Sequence, residues 1–514
     1  MNRYPKLTAT LLGFLSAIGF VPIGWWPVTL VCLALLIVLV RAAPTLKSAL
    51  ARGYWFGWGH FVVGLNWIAG AFHYQDAMPV WLGWVAVITL AFYIAVYPAL
   101  AVGLAWRWGR DYPLRFALFF AAGWTVTEWL RASLFTGFAW NPLGVILVPT
   151  NVDLLARVIG TYGLSAIVIL MAGLTLAIGQ WLARSNIRNF SLTPKSGKGA
   201  LIGIAVAVTA PLIISMLSGV ELIPHKEPTG GLVRIVQPNI GQQDKHNDTF
   251  DAINFAKLTA MTGKPGKEPR LILWPEAATP DFLEEEIWAR ERIAALMGPK
   301  DAILTGGVAL IFDKNDKLSA AHNSTFAMTP DARLIGRYDK SHLVPYGEYL
   351  PMRPILSAIG LSRLVPGDVD FLPGPGAQTI ALPGFGKAGV QICYEIIFSG
   401  DVVSNDNRPD FLFNPSNDAW FGAWGPPQHL AQAQLRAIEE GVPVIRSTPT
   451  GISAVINASG KLIATLPYKQ AGFIQTHLPL PRAPTLFALY GNILPLVFAL
   501  FLALLGVAHR RKRR

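Results

Sequence analysis

The stretch Lys387–Phe398 reads KAGVQICYEIIF, an apolar run with the composition of a buried β-strand that leads into a cysteine. The chain contains one other cysteine, Cys32, which lies inside a continuous apolar segment. A free cysteine in such surroundings usually acts as a small buried hydrophobic residue. Cys393 is therefore the thiol from which chemistry is predicted.

Similar strand-like runs alternate with amphipathic stretches on both sides of this cysteine. The predicted strands are Leu232–Gln237, Leu271–Trp274, Ile303–Leu310, Ser324–Met328, Val390–Cys393, Phe411–Asn414, Val444–Ser447 and Ala454–Asn457. The predicted helices include Thr249–Met261, Leu283–Met297 and His429–Glu440. Regular alternation of strands and helices within one long region predicts an α/β layered domain.

The rest of the chain is much more apolar than a soluble domain, and the whole sequence is 52% hydrophobic with 14% charged residues. Apolar segments near the length that crosses a bilayer occur at 8–23, 27–42, 54–74, 79–105, 115–132, 154–183, 200–219 and 485–508. They predict a multi-span α-helical membrane domain with seven transmembrane helices over 1–220. The α/β domain then occupies 221–483, and an eighth helix with a basic tail occupies 484–514.

The distribution of positive charge predicts the orientation of these segments. Seventeen Lys and Arg lie in alternate connections and at the two termini, whereas the opposite connections hold only Arg131 and Arg157. Because Lys and Arg accumulate on the cytoplasmic side, both termini are predicted to be cytoplasmic and residues 221–483 periplasmic in a bacterial inner membrane. The net charge of +12 then reflects the Lys and Arg of the predicted cytoplasmic connections and termini. Residues 221–508 hold 24 Lys and Arg against 27 Asp and Glu. Nucleic acid is not a predicted partner.

Three short motifs in the predicted outer domain place reactive side chains after apolar runs. They are LILWPE, ending at Glu276; RYDKSHLVPYGEY, with Lys340 and Glu348; and ICYE, with Cys393. A thiol becomes a nucleophile when a base takes its proton and a cation stabilises the thiolate and the later oxyanion. Each motif alone is common in ordinary structure, but the carboxylate, ammonium and thiol in this order form a specific set.

The three motifs resemble the Glu-Lys-Cys triad of the nitrilase superfamily. Together with the eight apolar segments, they resemble its apolipoprotein N-acyltransferase family over nearly the entire chain. The resemblance implies a four-layer αββα sandwich with Glu276 as general base, Lys340 as oxyanion stabiliser and Cys393 as nucleophile. It also implies supporting roles for Glu348, Tyr394 and Glu395.

Four further positions are predicted to bind substrate or gate its access. Trp140, in the outward loop TGFAWNP with Phe138, matches an aromatic residue of the family. Trp420 belongs to the apolar run WFGAW, and His246 stands where the family often carries tryptophan. The first loop either dips toward the site or anchors the membrane interface. The run at 420–424 and the segment PILSAIGL at 354–361 are either membrane-facing lids or loops of the sandwich core.

The resemblance implies transfer of an acyl chain from a phospholipid to the N-terminal amine of diacylglyceryl-cysteine in an apolipoprotein, through a Cys393 thioester. A membrane-tethered nitrilase-type amidase and a non-catalytic transporter or receptor remain as alternatives. The literal G-x-G-x-x-G pattern at 384–389 precedes its strand and opens no helix, so it does not predict a dinucleotide site. No metal or cofactor is predicted.

Overall fold

The computed structural model describes residues 4–74, 78–185, 229–245, 248–358 and 371–511. The chain divides into two compact units. The first comprises Met1–Asn66, Trp84–His225 and Thr485–Arg514, and the second comprises Trp67–Gly83 and Lys226–Pro484. The second unit therefore includes a segment from within the predicted membrane region. The predicted helix at 200–219 lies outside the described residues.

The first unit is helical in its described part. Its helices are Pro5–Ser16, Trp26–Arg41, Leu46–Gly64, Leu82–Ile94 (which crosses the unit boundary), Val96–Gly109, Pro113–Ser133, Ala156–Ser185, Leu486–Tyr490 and Ile493–Arg511. Two stretches of the described chain, Leu82–Gly109 and Asn151–Ile178, are long and apolar enough to cross a membrane. Trp26–Arg41 and Ile493–His509 are apolar but shorter.

In its described residues, the second unit contains two six-stranded sheets. The strands are β1 (Thr229–Gln237), β2 (Arg270–Leu273), β3 (Ala302–Phe312), β4 (Leu318–Met328), β5 (Leu334–Asp339), β6 (Thr379–Leu382), β7 (Gly386–Val390), β8 (Phe411–Pro415), β9 (Val444–Ser447), β10 (Ser453–Ile456), β11 (Leu462–Leu466) and β12 (Gly472–Pro479). The strand orders are β12-β1-β2-β3-β4-β5 and β11-β10-β9-β8-β7-β6. In each sheet the central strands, β1-β2-β3 and β7-β8-β9, run parallel and the outer strands antiparallel.

The helices of this unit are Trp67–Ala71, Gln242–Lys245, Asp251–Thr262, Ile287–Ala294, Arg353–Ala358 and Gly425–Glu440. Asp251–Thr262 and Ile287–Ala294 pack on the first sheet through a buried apolar cluster that includes Leu258, Ile293 and Trp274. The sheets meet where the Ser447 hydroxyl of β9 donates to the Val236 carbonyl of β1 at 3.0 Å. Paired sheets flanked by helices match the layered architecture that the sequence predicts.

The predicted secondary structure around the cysteine needs one correction. β7 ends at Val390, and Cys393 begins a short 3₁₀ turn over Cys393–Ile397, so the predicted strand Val390–Cys393 is wrong. The reason lies in the backbone, because Cys393 has φ of 52°, a left-handed value that a strand cannot contain. The other predicted strands and the three predicted helices are confirmed, with shifted ends.

Candidate active site

Two of the reactive residues, Glu276 and Cys393, lie just after parallel strands of the two sheets. Glu276 follows β2, Cys393 follows β7 and Asn417 follows β8. Loops at the carboxyl ends of parallel strands are the usual place for binding and catalysis in α/β folds. Lys340 comes from a different element, directly after the antiparallel strand β5.

Lys340 lies at the centre of a buried charged cluster. The side chain is 1% exposed, and its Nζ donates to Glu348 Oε1 at 2.9 Å. Glu276 Oε1 is 3.8 Å from the same Nζ, an ion pair beyond hydrogen-bond length. Asn323 Nδ2 donates to both carboxylates, at 2.8 Å to Glu276 and 2.9 Å to Glu348. The ammonium is therefore held between two carboxylates whose spacing Asn323 fixes.

The charges around Lys340 keep it protonated. Burial by itself lowers the pKa of the ammonium, but the neighbouring charges of Glu348, Glu276 and Cys393 outweigh burial and raise the pKa. A permanent cation at this place can stabilise negative charge that develops on a reacting oxygen or sulfur.

Cys393 is buried and its thiol is disfavoured from ionising at rest. Burial raises its pKa, and the charges of Glu276 and Asp418 raise it further, against the lowering effects of Lys340 and the Asn417 backbone N–H. The resting arrangement is thus a neutral thiol beside a carboxylate. In such a pair the carboxylate can act as the base, because the nucleophilic thiolate forms only when the proton of the thiol is removed.

Three contacts at the site were not predicted from the sequence. The backbone N–H of Asn417 donates to Glu276 Oε2 at 2.7 Å and also lowers the pKa of the Cys393 thiol. Asn323 supplies the bridge between the two carboxylates. Lys245 Nζ donates to the Glu276 backbone carbonyl at 2.7 Å, and burial lowers the pKa of Lys245 to about 8, against the raising effects of Glu276 and Cys393. A backbone donor, a strand asparagine and a lone lysine carry no motif that could have identified them.

Glu395 fastens the loop that follows Lys340. Its Oε1 accepts hydrogen bonds from the Tyr338 hydroxyl at 2.8 Å, from Ser341 N and Oγ at 2.7 and 2.8 Å, and from His342 N at 3.0 Å. Its Oε2 accepts from Ile392 N at 2.7 Å. Burial raises the pKa of Glu395, while Lys340 and these donors lower it, and the net direction is upward. Glu395 thus joins the chain after Lys340 to the chain before Cys393.

The structure brings Glu276, Lys340, Glu348 and Cys393 together, and it places the other predicted residues as follows. Tyr394 is buried against Phe398, with ring centroids 5.2 Å apart. Trp420 packs edge-on against Tyr74 at 5.9 Å, within the same unit. His246 lies outside the described residues.

Phe138 and Trp140 belong to the helical unit, where Arg131 holds their loop. Arg131 Nη1 donates to the Phe138 carbonyl at 3.0 Å and to the Trp140 carbonyl at 2.8 Å. Arg131 also lies 3.9 Å from Glu128 in the preceding turn of the helix. The Trp140 side chain is fully buried. The loop is therefore fixed by buried polar contacts to the helix from which it emerges.

Replacing Gly306 with alanine should disturb the Glu276 turn. A methyl group at Gly306 would lie 2.4 Å from Ala277 N and 2.8 Å from Glu276 Cα, so the turn must move. Misplacement of a catalytic group by about 1 Å can cost about 10²-fold in rate. Under the role of base that the sequence predicts for Glu276, we expect Gly306→Ala to slow acylation of Cys393 strongly, measured by mass spectrometry over time. Gly266→Ala, where a methyl group meets nothing within 4 Å, is the control and should react like the native protein. Equal rates for the two variants would contradict the prediction.

Two family models match the chain in succession. The model of the apolipoprotein N-acyltransferase N-terminal domain matches residues 12–174, and the carbon-nitrogen hydrolase model matches residues 232–485. An apolipoprotein N-acyltransferase of Rhodopseudomonas palustris is 33% identical over 98% of this chain and 95% of its own length. The chain belongs to the apolipoprotein N-acyltransferase family. Another member, from Sinorhizobium medicae, is 35% identical over 93% of this chain and 90% of its own length.

Among solved structures, an amidase from Nesterenkonia sp. is similar at 14% identity and a TM-score of 0.31, covering 50% of this chain and 94% of its own. The carbon-nitrogen hydrolase match extends over both six-stranded sheets, so the second unit has the nitrilase-like fold. In this chain, the second unit carries the cluster of Glu276, Lys340 and Cys393.

Proposed function

We propose that this protein moves an acyl chain from a phospholipid to the N-terminal amine of a diacylated apolipoprotein, through a thioester on Cys393. The observation that carries the proposal is the buried Cys393 thiol in the field of Glu276 and Lys340, whose charged groups lie 3.8 Å apart, with the Asn417 N–H donating to the Glu276 carboxylate at 2.7 Å. Family membership over nearly the full chain supports lipid and lipoprotein substrates for this cluster. The proposed roles are nucleophile for Cys393, general base for Glu276 and oxyanion stabiliser for Lys340.

The first half-reaction acylates the enzyme. Glu276 takes the thiol proton while the sulfur attacks the ester carbonyl carbon, and Lys340 stabilises the negative oxygen that forms. When the carbonyl re-forms, the ester C–O bond breaks and Glu276 returns its proton to the departing oxygen. The products are a Cys393 thioester and a lysophospholipid.

The second half-reaction transfers the acyl chain. The α-amine of the acceptor's diacylglyceryl-cysteine attacks the thioester carbonyl, and Glu276 accepts an amine proton. The C–S bond then breaks, the proton passes to the sulfur, and an amide and a free thiol result. Glu348 and Glu395 support both steps by fixing Lys340 and its loop, and Tyr394 packs beside the nucleophile.

The proposal places the catalytic unit at the periplasmic face of a bacterial inner membrane. The supporting observations are the asymmetric distribution of Lys and Arg, the two long apolar helices and the family's N-terminal domain. In this arrangement residues 1–220 form seven spans, 221–483 the catalytic domain, and 484–514 an eighth span with a cytoplasmic tail. Neither lipid substrate then has to leave the bilayer fully.

Aromatic residues are proposed to guide the lipid chains and to keep water from the thioester. Phe138 and Trp420 offer partly exposed apolar surface, whereas the fully buried Trp140 is proposed to act by holding its loop in place. His246 is proposed to contact substrate. Met352 and Ile355, which are 64% and 63% exposed, give the turn around Arg353–Ala358 the character of a lipid-facing segment. The other interpretations of these loops, as interface anchors or core elements, predict normal transfer after their aromatic residues are replaced.

The proposal is tested by intact mass spectrometry of the purified full-length protein. Incubation with a phospholipid carrying an isotope-labelled acyl chain should add one labelled acyl group, and peptide fragmentation should locate it on Cys393. Adding a diacylated lipopeptide should remove the adduct and make the lipopeptide heavier by the same group. Lipopeptide acylation without any enzyme adduct would contradict the thioester route. Release of ammonia from small amides without lipopeptide acylation would instead support the alternative of a membrane-tethered amidase. Binding of the lipopeptide without either reaction would support a non-catalytic transporter or receptor.

A further inference from the structure

The carbonyl oxygen of Cys393 is held by two side chains that the proposed chemistry does not use. His429 Nε2 lies 3.0 Å from it, and Asn414 Nδ2 donates to it at 3.4 Å. Cys393 has φ of 52°, and a non-glycine residue keeps such a conformation only where its surroundings enforce it. The direction of the thiol depends on this backbone, because the side chain leaves from the same Cα.

The imidazole of His429 is fixed on several sides. The ring is fully buried, and its Nδ1 lies 3.0 Å from both Asp418 Oδ1 and Arg446 Nη2. Phe421 packs edge-on against it, with ring centroids 5.7 Å apart. Phe421 is packed in turn by Trp67 at 4.6 Å, from the segment Trp67–Gly83 that belongs to this unit. Nε2 therefore has one direction available, which is toward the Cys393 carbonyl.

One guanidinium orients both groups that hold this carbonyl. Arg446, fully buried on β9, donates through Nη1 to Asn414 Oδ1 and through Nη2 to Asp418 Oδ2. Asn414 reaches the carbonyl directly, and Asp418 reaches it through His429. The segment 414–418, which contains Asn414 and Asp418, also contains Asn417, whose backbone N–H donates to Glu276 Oε2 at 2.7 Å. The nucleophile and the base are thus positioned from one buried framework.

We infer that His429 is a positioning residue for the Cys393 nucleophile, holding its carbonyl through Nε2 and thereby keeping the thiol aimed at the substrate. Arg446 and Asp418 fix the imidazole, and Asn414 assists at the same oxygen. The inference rests on the proposed role of Cys393 as nucleophile. It gives His429 a role in orienting that residue, in which His429 takes no proton from substrate and contacts none of the reacting atoms.

Two amide substitutions separate positioning from a general structural role. In His429→Gln the amide nitrogen can reach the place of Nε2, whereas in His429→Asn the shorter side chain reaches only the place of Nδ1. The readout is the rate of Cys393 alkylation by iodoacetamide across pH in the full-length protein, located by peptide mapping. This measurement needs no lipid, so it remains informative even if the proposed acyl transfer is wrong.

We expect His429→Asn to lower the rate of alkylation at each pH and the rate of acyl-enzyme formation by about 10²-fold, the cost of a small misplacement of a reacting group. His429→Gln should recover most of both rates. Thr262→Val is the matched control, because Thr262 is buried in the same unit and its hydroxyl accepts from Trp274 Nε1 at 2.9 Å. It should lower the unfolding temperature without changing alkylation.

The inference is overturned if His429→Asn and His429→Gln react alike, or if Thr262→Val slows alkylation as much as His429→Asn at a similar loss of unfolding temperature. It is also overturned if His429→Asn folds and alkylates at the native rate. Loss of lipid transfer in every protein, with the alkylation pattern as expected, would leave the positioning role standing and refute the proposed acyltransferase reaction instead.

Discussion

Replacing Glu276 with glutamine should slow acylation of Cys393 by about 10³-fold, within the range that removal of a general base usually costs. The same substitution should lower the pKa of the Cys393 thiol. Burial is the main cause of the raised pKa, and the charge of Glu276 is the next. Without that charge, Lys340 still favours the thiolate, so ionisation becomes easier while catalysis becomes slower.

The two opposite effects make this variant informative. Thiolate formation is measured by ultraviolet absorbance over a pH titration, and acylation by the labelled phospholipid assay. Glu284→Gln serves as control, because Glu284 is a partly exposed carboxylate of the same unit that pairs with Arg337 at 2.7 Å. It should leave the pKa of Cys393 and the acylation rate unchanged. An unaltered or higher pKa of Cys393 in Glu276→Gln would contradict the electrostatic account of the site.

The positions of Glu276 and Cys393 near strand ends were predictable because each follows an apolar run, whereas Lys340 was identified by the resemblance of its motif to the family. Glu276, Lys340 and Cys393 stand in short motifs, and the alternation of strand and helix signals predicted the layered fold around them. Glu348 belongs to the same motif as Lys340, and the structure pairs their side chains at 2.9 Å. Sequence patterns identify such residues because strand periodicity and turn residues are local properties.

The contacts that complete the site depend on tertiary structure and were not predictable. Asn323 reaches both carboxylates because β4 lies beside β3 and β5, a pairing between distant parts of the chain. The Asn417 N–H is a backbone group and carries no side-chain signature. The early end of β7 also escaped prediction, since the apolar run continues through Ile392 while the backbone turns at Cys393. The grouping of Trp67–Gly83 with the catalytic unit likewise arises from packing against Phe421 and Trp420.

Replacing Lys340 with methionine should lower the acylation rate by about 10²- to 10³-fold, the usual effect of removing one oxyanion-stabilising donor. Methionine fills similar space but leaves Glu276 and Glu348 buried without their shared cation. Breaking a buried ion pair in this way typically costs about 3–5 kcal/mol of stability. We therefore expect a lower unfolding temperature together with slower acylation, the first measured by thermal melting and the second by intact mass.

The pH dependence of this stability loss follows from the pKa of Lys340, which is raised above its ordinary value of 10.5. A cation with a raised pKa in the folded state stabilises fully below the unfolded value and loses that effect only as the pH rises through the folded value. The native protein should thus keep the contribution of Lys340 throughout the neutral range.

Lys245→Met is the matched control for the acylation rate of Lys340→Met. Lys245 Nζ donates to the backbone carbonyl of Glu276 at 2.7 Å, and the pKa of Lys245 is lowered to about 8. That variant should keep most of the acylation rate. Comparable losses of rate in the two variants would mean that Lys340 acts through general positive charge, and not through its placement between Glu276 and Glu348.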